Sequence, residues 1–357
     1  MTHLDLFLQK GPNPHPSNPA LTTHASGLED LRRTLLLDPL PSSADGLSEL
    51  RIYIWLILLN APPLSTKAYL DLVGQGASPA YAKIRDDTFR TLTTDPLFRR
   101  RVSENSLTRV LNAVAWKLCD REESRREGWN SPPMMNLSLN VPDNGSDIFH
   151  SPASVTSAGG GNNDRPSRFA RGSVTEDSEA DSTTAHTSVG YVQGMNVMAA
   201  PFLYAARSEV EAFAAFDRYV THECPGYVRG SMEGVHKGLA LVDQILGIVD
   251  PKLASHLLGK GMKAEIYAFP SVLTLCACTP PLPEVLRLWD FLFAYGAGLN
   301  LLCIVSQVVL IRDQLLSTQS PKPDFKPLRA QKVIDYTVNF ARKIPEDVYE
   351  QMLSHAK

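Results

Sequence analysis

Residues 188–204 read SVGYVQGMNVMAAPFLY. After Gly194 almost every residue is small or apolar, which is the composition of a helix buried on all sides. A polar amide, Gln193, stands at the start of this helix between Gly190 and Gly194. Glycines allow a backbone to approach closely, and an amide removed from water needs hydrogen-bond partners. The stretch predicts a central helix whose entry loop meets either this chain or another molecule.

Helical spacing extends to both sides of this stretch. Upstream, LSELRIYIWLILLN (47–60) predicts an apolar helix ended by the prolines of APPLS (61–65), and Ser106 is a candidate N-cap for another helix. Downstream, the segments 209–224, 236–261, 283–296 and 299–316 all show helical spacing. Alternating strand patterns with turn residues do not stand out. The predicted fold class is all-α, with many helices too irregular for a repeat.

The composition changes sharply in the middle of the chain. Residues 125–186 are rich in Ser, Gly, Asn, Pro and Asp, and such a segment cannot bury enough apolar surface to offset its ordering entropy. We therefore predict a disordered insert at about 123–187 within one domain that spans 27–350. The Pro- and Asn-rich residues 1–26 predict a flexible tail, and 351–357 form the C-terminal end.

Bulk properties exclude several function classes. A net charge of −3 argues against a protein whose main partner is nucleic acid. The start of the chain lacks the pattern of a secretory signal. The uncharged run 291–311 has a membrane-spanning length, but Gly296, Gly298 and its polar residues favour two buried helices joined at YGAGLN. Five cysteines favour a reducing compartment, and Cys276 and Cys278 are better explained as buried apolar residues than as metal ligands.

Few residues remain as candidates for chemistry. The chain has no phosphate-binding GxxxxGK[ST] motif, so we expect no nucleotide to be held by this chain itself. His222 lies in a helix end before Pro225, where a dipole interaction is a simpler explanation than a ligand role. Asp87 and Arg90 lie three residues apart within IRDDTFRTLTTDPLF (84–98). Alone, they are explained by an exposed ion pair, and Gln193 alone by contacts to loop backbone.

Taken together and in this order, four motifs resemble the TBC domain, the domain of activators of Rab-type GTPases. The motifs are Arg51-x-x-x-Trp55 with Leu58-Leu59, Ile84-x-x-Asp87-x-x-Arg90, Tyr191-x-Gln193-Gly194, and the tryptophan–aspartate segment VLRLWDFLFAYG (285–296) with Trp289 and Asp290. The resemblance covers most of residues 28–316. Arg90 and Gln193 are 103 residues apart, whereas the family separates them by a few tens. Removing the predicted insert restores the usual spacing, and added loop length costs little.

The resemblance implies roles for these residues. Arg90 would be an arginine finger and Gln193 a glutamine finger, both supplied in trans to a small Ras- or Rab-like GTPase that itself holds GTP and Mg²⁺. This chain would bind no cofactor and no metal. Asp87 would orient Arg90, Tyr191 would pack the glutamine loop, and Gly194 would allow the tight entry into the helix. Five residues would belong to the scaffold: Arg51, Trp55, Ile84, Trp289 and Asp290.

Within this family, the stretch RIYIWLILLNAPPLSTKAYLDLV (51–73) and the short N-terminal tail resemble the fungal spindle-checkpoint branch. That branch implies a negative regulator of mitotic exit or septation, a scaffold-like partner subunit and a location in the cytoplasm or at the spindle pole body. Two alternatives stay open. One is a non-catalytic scaffold of the same fold, and the other is an activator of membrane-traffic Rab proteins.

Overall fold

A computed structural model describes residues 19–63, 65–93, 95–130 and 190–357. These ranges are built from helices and connecting turns, with no β-strand among them, which confirms the predicted all-α class. Residues up to Arg125 and from Gly190 onward belong to one compact unit. Residues 131–189, which include most of the predicted insert, and residues 1–18 of the predicted tail lie outside the described residues.

The helices before the gap are as follows: α1 (Pro19–Leu37), α2 (Arg51–Leu58), α3 (Thr66–Gly74), α4 (Tyr81–Phe89), α5 (Pro96–Arg101) and α6 (Glu104–Asn130). The helices after the gap are α7 (Met195–Ala205), α8 (Glu209–Arg218), α9 (Pro225–Val228), α10 (Glu233–Val249), α11 (Pro251–Gly259), α12 (Ala264–Tyr267), α13 (Phe269–Leu273), α14 (Leu282–Tyr295), α15 (Asn300–Leu310), α16 (Arg312–Ser317), α17 (Ala330–Ala341) and α18 (Glu346–Ser354). A π-helical turn, Tyr219–Glu223, extends α8, and a 3₁₀ turn, Ala297–Leu299, joins α14 to α15.

Helix α7, the helix of the opening stretch, lies at the centre of the N-terminal part of the fold. Ten of its eleven residues are buried, and it contacts α2, α4, α5, α8 and α14. Small residues such as Ala199 and Ala200 allow these neighbours to pack closely, and both are fully buried. Because α4 is one of these neighbours, the segment that carries Arg90 is placed against the helix that follows Gln193.

An aromatic cluster fills the space between α2, α7 and α14. The Trp55 ring lies 5.6 Å from that of Phe202 and 5.7 Å from that of Trp289. Phe293 stacks on Phe202 at 5.7 Å. Both tryptophans are fully buried, and the Trp289 indole N–H donates to the Leu275 carbonyl at 2.8 Å. Rings of this size bury large apolar areas, so this cluster stabilises the packing of α2 against α7 and α14.

A buried ion pair crosses the same region. Arg51 Nε donates to Asp290 Oδ1 at 3.0 Å, and Nη2 donates to Asp290 Oδ2 at 3.1 Å and to the Ser42 hydroxyl. Arg51 Nη1 donates to the Gly46 carbonyl. The Trp55 indole N–H also donates to Asp290, at 2.8 Å. Burial raises the pKa of the Asp290 carboxyl, and the Arg51 charge opposes that rise. A buried pair holds a fold together only when its remaining donors are satisfied, as they are here.

The predicted start of α6 is wrong, and α1 and α6 each extend past a boundary that the sequence pattern indicates. Helix α1 begins at Pro19, within the predicted tail 1–26. Helix α6 begins at Glu104, because the Ser103 hydroxyl rather than Ser106 accepts a hydrogen bond from the first turn, from the Ser106 N–H at 3.1 Å. The same helix continues into the predicted insert as far as Asn130.

The C-terminal residues pack into the fold rather than trailing from it. Met352, His355 and Ala356 are buried. The Gly226 N–H donates to the Ala356 carbonyl at 2.8 Å, and His355 Nε2 lies 2.7 Å from the Tyr227 hydroxyl. The predicted end 351–357 is therefore part of the domain, because the glycines before and within α10 leave room for this segment.

The uncharged run 291–311 forms the end of α14, the 3₁₀ turn and α15, as the sequence predicts. Gly296 breaks the run with a φ of +116°, a conformation that favours glycine. Among the residues that the structure describes, no helix is both long and apolar enough to cross a membrane.

Candidate functional site: the Arg90 and Gln193 segments

The C-terminal end of α4 places one charged side chain inward and the next one outward. Ile84 and Asp87 lie on the buried face of the helix, and Ile84 is fully buried. Arg90 follows the last helical residue, and its side chain is 61% exposed, whereas that of Asp87 is 3% exposed. The three-residue spacing therefore joins a fixed carboxylate to a guanidinium that faces solvent.

Asp87 links the two segments that contain the predicted fingers. Arg90 Nη2 donates to Asp87 Oδ1, and the buried Tyr191 hydroxyl donates to Asp87 Oδ2 at 2.8 Å. Burial, followed by the negative charge of Asp87, raises the pKa of Tyr191, so the phenol stays protonated and remains a donor. The hydrogen bond to Asp87 raises the pKa of Arg90, so the guanidinium stays protonated. Two residues after Tyr191 comes Gln193, so the carboxylate connects the arginine to the glutamine loop.

The glutamine loop packs closely at both of its ends, against the backbone of Ala115 at Gly190 and against the Leu273 side chain at Gly194. A Cβ atom on Gly190 would lie 2.5 Å from the Ala115 carbonyl oxygen, and one on Gly194 would lie 2.6 Å from Leu273 Cδ2. Both glycines have positive φ, +93° and +106°. Gln193 itself is exposed, and among the described residues its side-chain amide has no hydrogen-bond partner. The glycines allow the close approach that the sequence predicts, and the atoms they approach belong to this chain. The Gln193 amide faces solvent.

Two further residues of the site were missed in the sequence. Asn196 is buried within the first turn of α7; its Nδ2 donates to the Thr91 hydroxyl at 2.8 Å and to the Asp87 carbonyl at 3.3 Å, and its Oδ1 accepts from the Gly194 N–H at 3.1 Å. Thr91 in turn donates to the Asp87 carbonyl at 2.8 Å. A signal was present, because a polar Asn stands within an otherwise apolar helix and a buried amide needs partners.

Phe89 gives this surface an exposed apolar side chain. It directly precedes Arg90 and is 72% exposed. It borders a groove of about 530 Å³ whose other lining residues include Arg90, Arg99 and Leu107. On its other side it borders a second groove of about 440 Å³, lined by Arg85 and Asn105 among others. An exposed phenylalanine between two grooves is a feature of contact surfaces rather than of a core.

Other candidate clusters are accounted for by packing. His222 Nδ1 lies 2.8 Å from the Thr221 hydroxyl in the π-helical turn, and Cys224 is buried. Cys276 is fully buried and donates to Asn300 Oδ1 at 3.2 Å. Within the ranges 19–63, 65–93, 95–130 and 190–357, no group of three or more His, Cys, Asp or Glu side chains is placed to hold a metal ion.

The arrangement can present a permanent cation and a free amide to another molecule. Arg90 has a planar set of donors, of which Asp87 occupies one nitrogen. The Gln193 amide can donate and accept at once. Neither group is a proton acceptor of useful basicity, so the chemistry they can supply is charge stabilisation and orientation rather than acid–base catalysis.

Comparison with known proteins defines the class to which this site belongs. The family model of the Rab-GTPase-TBC domain matches residues 183–316. Cell division control protein 16 of Schizosaccharomyces pombe is 38% identical over 329 residues, which cover 91% of this chain and 87% of that protein. Mitotic check point protein BUB2 of Saccharomyces cerevisiae is 34% identical over 349 residues, 95% of this chain and 94% of that protein.

A solved structure supports the same fold. The crystal structure of the Ypt/Rab-GAP domain of Gyp1p is similar with a TM-score of 0.57, over 95% of this chain and 96% of that chain, at 14% sequence identity. The family match and the two relatives show that the chain belongs to the Rab-GTPase-TBC domain family. The resemblance stated from its four motifs is confirmed, including the branch, since both relatives carry the names of cell-division or mitotic-checkpoint proteins. The partner class implied by the family is a small Rab- or Ras-like GTPase.

Proposed function

We propose that this protein activates GTP hydrolysis by a small Rab- or Ras-like GTPase, with Arg90 as an arginine finger and Gln193 as a glutamine finger. The observation that carries the proposal is the arrangement around Asp87. Two exposed side chains, Arg90 and Gln193, stand on segments that a buried carboxylate and Tyr191 join. Family membership alone would not require either side chain to be exposed, because a scaffold with the same fold needs neither.

The chemistry of GTP hydrolysis explains why these residue types suit the task. The transition state spreads negative charge over the phosphoryl oxygens, and catalysis consists mainly of positioning and electrostatic stabilisation. A guanidinium supplied in trans stabilises that charge and is worth about 10³–10⁵ in rate. A glutamine amide orients the attacking water and bonds to the backbone of the GTPase at the same time. The GTPase holds the nucleotide and Mg²⁺, so this chain needs no cofactor of its own.

Phe89 fits the same surface as a contact residue. It lies next to Arg90 and is exposed between two grooves. A GTPase that brings its nucleotide to Arg90 covers this ring as well, and covering an aromatic side chain favours association. Phe89 thus contributes to binding, whereas Arg90 and Gln193 contribute to the rate of hydrolysis.

The named relatives support a role in cell division. One is named a cell division control protein and the other a mitotic check point protein. We place the present chain in the same process, as a negative regulator of mitotic exit or septation that works with a scaffold-like partner subunit. Its site of action is then the cytoplasm, with recruitment to the spindle pole body.

Single-turnover GTP hydrolysis tests the catalytic proposal. A panel of Rab- and Ras-like GTPases loaded with GTP is mixed with the full chain, with and without candidate partner subunits. Wild type is expected to accelerate hydrolysis by one GTPase of the panel. Arg90→Ala is expected to reduce that acceleration by about 10³-fold or more. Gln193→Ala is expected to reduce it as well. If wild type binds the GTPase without accelerating it, or if both variants act like wild type, the two-finger mechanism is wrong.

A further inference from the structure

Asn196 is the side chain that contacts both finger segments directly. It lies two positions after Gly194 in the first turn of α7 and is 6% exposed. Its amide bonds to the Asp87 carbonyl and the Thr91 hydroxyl on one side and to the Gly194 N–H on the other. We propose that Asn196 is a positioning residue that holds the Arg90 and Gln193 segments at a fixed separation. The catalytic part of this inference rests on the proposed function.

The hydrogen-bond pattern determines which way the amide faces. The Thr91 hydroxyl donates its hydrogen to the Asp87 carbonyl, so it must accept from Asn196, and only Nδ2 can donate. The Gly194 N–H needs an acceptor, and only Oδ1 can accept. Both ends of the amide are therefore used, and a residue with only acceptors or only donors fails on one side.

The Asp87 carbonyl is the point at which these bonds meet. It accepts from the Thr91 hydroxyl at 2.8 Å, from Asn196 Nδ2 at 3.3 Å and from the Arg90 backbone N–H at 3.3 Å. The backbone of Arg90 is thus tied to the same atom that Asn196 holds. Because the Gly194 N–H follows Gln193 directly, one buried side chain connects the peptide units that carry both exposed fingers.

This connection differs in kind from the one through Asp87 and Tyr191. The Arg90–Asp87–Tyr191 contacts involve side chains, and they end at the exposed guanidinium rather than at the backbone of Arg90. The Asn196 contacts end on backbone atoms at both segments and on a hydroxyl. They do not involve the Arg90 side chain, so they hold the backbone positions from which Arg90 and Gln193 extend. Misplacing a catalytic group by about 1 Å reduces a rate by up to ~10²-fold.

The chain provides a matched control for this test. Asn112, on α6, is also 6% exposed. Its Oδ1 accepts from the Ser78 N–H at 2.9 Å and its Nδ2 donates to the Gly76 carbonyl at 2.7 Å. Asn112→Ala removes a buried amide of equal exposure that ties one loop to a helix but touches neither finger segment. The two variants are expected to lose similar unfolding free energy.

The first experiment measures coupling without any GTPase. Hydrogen–deuterium exchange of the full-length protein is followed in peptides that cover 84–93 and 191–198. Asn196→Ala is expected to raise exchange in both peptides at once, whereas Asn112→Ala raises it around 76–78. If only one of the two finger peptides responds to Asn196→Ala, the side chain does not couple them and the proposal is overturned.

The second experiment measures the rate. Asn196→Ala is expected to lower the maximal stimulated hydrolysis by about 10- to 100-fold with an unchanged KM for the GTPase, while Asn112→Ala keeps the wild-type rate. In an Arg90→Ala background the loss from Asn196→Ala is expected to shrink, because only one finger remains to be positioned. Equal losses for Asn196→Ala and Asn112→Ala overturn the positioning role. Failure of the two-finger mechanism is recognised separately, by normal activity of Arg90→Ala.

Thr91 supplies variants for the case in which Asn196→Ala does not fold. Thr91→Val keeps the shape of the side chain and removes the hydroxyl that Asn196 contacts, and Thr91→Ser keeps that hydroxyl. Thr91→Val is expected to raise exchange in both peptides and to lower the rate of stimulated hydrolysis by a smaller factor than Asn196→Ala does. Thr91→Ser is expected to show the wild-type exchange and the wild-type rate. A Thr91→Ser protein that behaves like Thr91→Val overturns the assignment to the hydroxyl.

Discussion

Two arginine–aspartate pairs with a buried carboxylate, Arg51–Asp290 and Arg90–Asp87, differ in the exposure of the arginine. Arg51 and Asp290 are 3% and 0% exposed, and the Arg51 nitrogens all bond to groups of this chain. Arg90 and Asp87 are 61% and 3% exposed, and Asp87 receives a second donor from Tyr191. In both pairs the carboxylate is buried and held by an aromatic donor, Trp55 in one and Tyr191 in the other.

The comparison shows how a structural arginine can be distinguished from one that acts on another molecule. A guanidinium whose donors are all used within the chain has nothing left to offer another molecule, and removing it strands a buried charge. A guanidinium that uses one nitrogen on a fixed carboxylate is oriented but keeps its other donors free. The aspartate is structural in both pairs, and the exposure of the arginine separates the two roles.

Replacing each arginine by methionine is the strongest test of this comparison. Arg51→Met leaves Asp290 buried without its cation, and we expect a loss of about 3–5 kcal/mol in unfolding free energy. Arg90→Met removes an exposed side chain and leaves Asp87 bonded to Tyr191, so we expect a loss of at most about 1 kcal/mol in unfolding free energy and a fall of about 10³-fold or more in stimulated hydrolysis. Urea unfolding followed by tryptophan fluorescence measures the first quantity. A stable Arg51→Met protein, or an unstable Arg90→Met protein, breaks the distinction between the pairs.

A smaller effect is expected from removing the aromatic donor of the exposed pair. Tyr191→Phe deletes the hydroxyl that donates to Asp87, and we expect a loss of about 1.5–3 kcal/mol in unfolding free energy, as for a hydrogen bond to a charged group. Stimulated hydrolysis is expected to fall as well, because Asp87 then holds Arg90 less firmly.

The control for Tyr191→Phe is Tyr204→Phe. Tyr204 is equally buried, and its hydroxyl donates to the neutral Asp45 carbonyl at 2.8 Å. Tyr204→Phe is expected to lose about 0.5–1.5 kcal/mol and to keep the wild-type rate of stimulated hydrolysis. If the two variants change the rate equally, the hydroxyl of Tyr191 has no special connection to Arg90.

The smallest expected effect concerns the exposed surface beside Arg90. Phe89→Ala is expected to weaken binding of the GTPase by about 1–2 kcal/mol, roughly tenfold in Kd, with unchanged stability and unchanged maximal rate. Ile266→Ala is the control, because Ile266 is 63% exposed on α12 and lines neither groove. Titration calorimetry with the GTPase measures both. Equal affinity of Phe89→Ala and wild type removes Phe89 from the interface.

Much of the architecture was predictable because its signals are local. Helical spacing, the prolines of APPLS and Gly296 predict the all-α class and the break between α14 and α15, and the structure confirms both. The start of α6 was predicted wrongly, and the start of α1 at Pro19 was not predicted. A tail rich in proline still admits Pro19 at the start of a helix, and Ser103 competes with Ser106 for the same capping role.

The contacts of the site were less predictable because they join distant parts of the chain. Asp87 and Tyr191 are 104 residues apart and meet at 2.8 Å. The roles of Asn196 and Thr91 depend on which atoms face each other across α4 and α7, and helical spacing carries no such information. The packing of Met352 and His355 against α10 and its surroundings was missed for the same reason.

The helical class, the family motifs and the residue types able to stabilise charge could be predicted from the amino-acid sequence, because they depend on spacing and side-chain chemistry along one segment. The tertiary structure alone decided which arginine is buried and which faces solvent, since Arg51 and Arg90 each have an aspartate partner. It also decided that the Gln193 amide faces outward while Asn196, three residues later, faces inward. Exposure is a property of the packed chain: the packing of α2 against α14 buries Arg51, and the packing of α4 against α7 buries Asn196 and leaves Arg90 and Gln193 exposed.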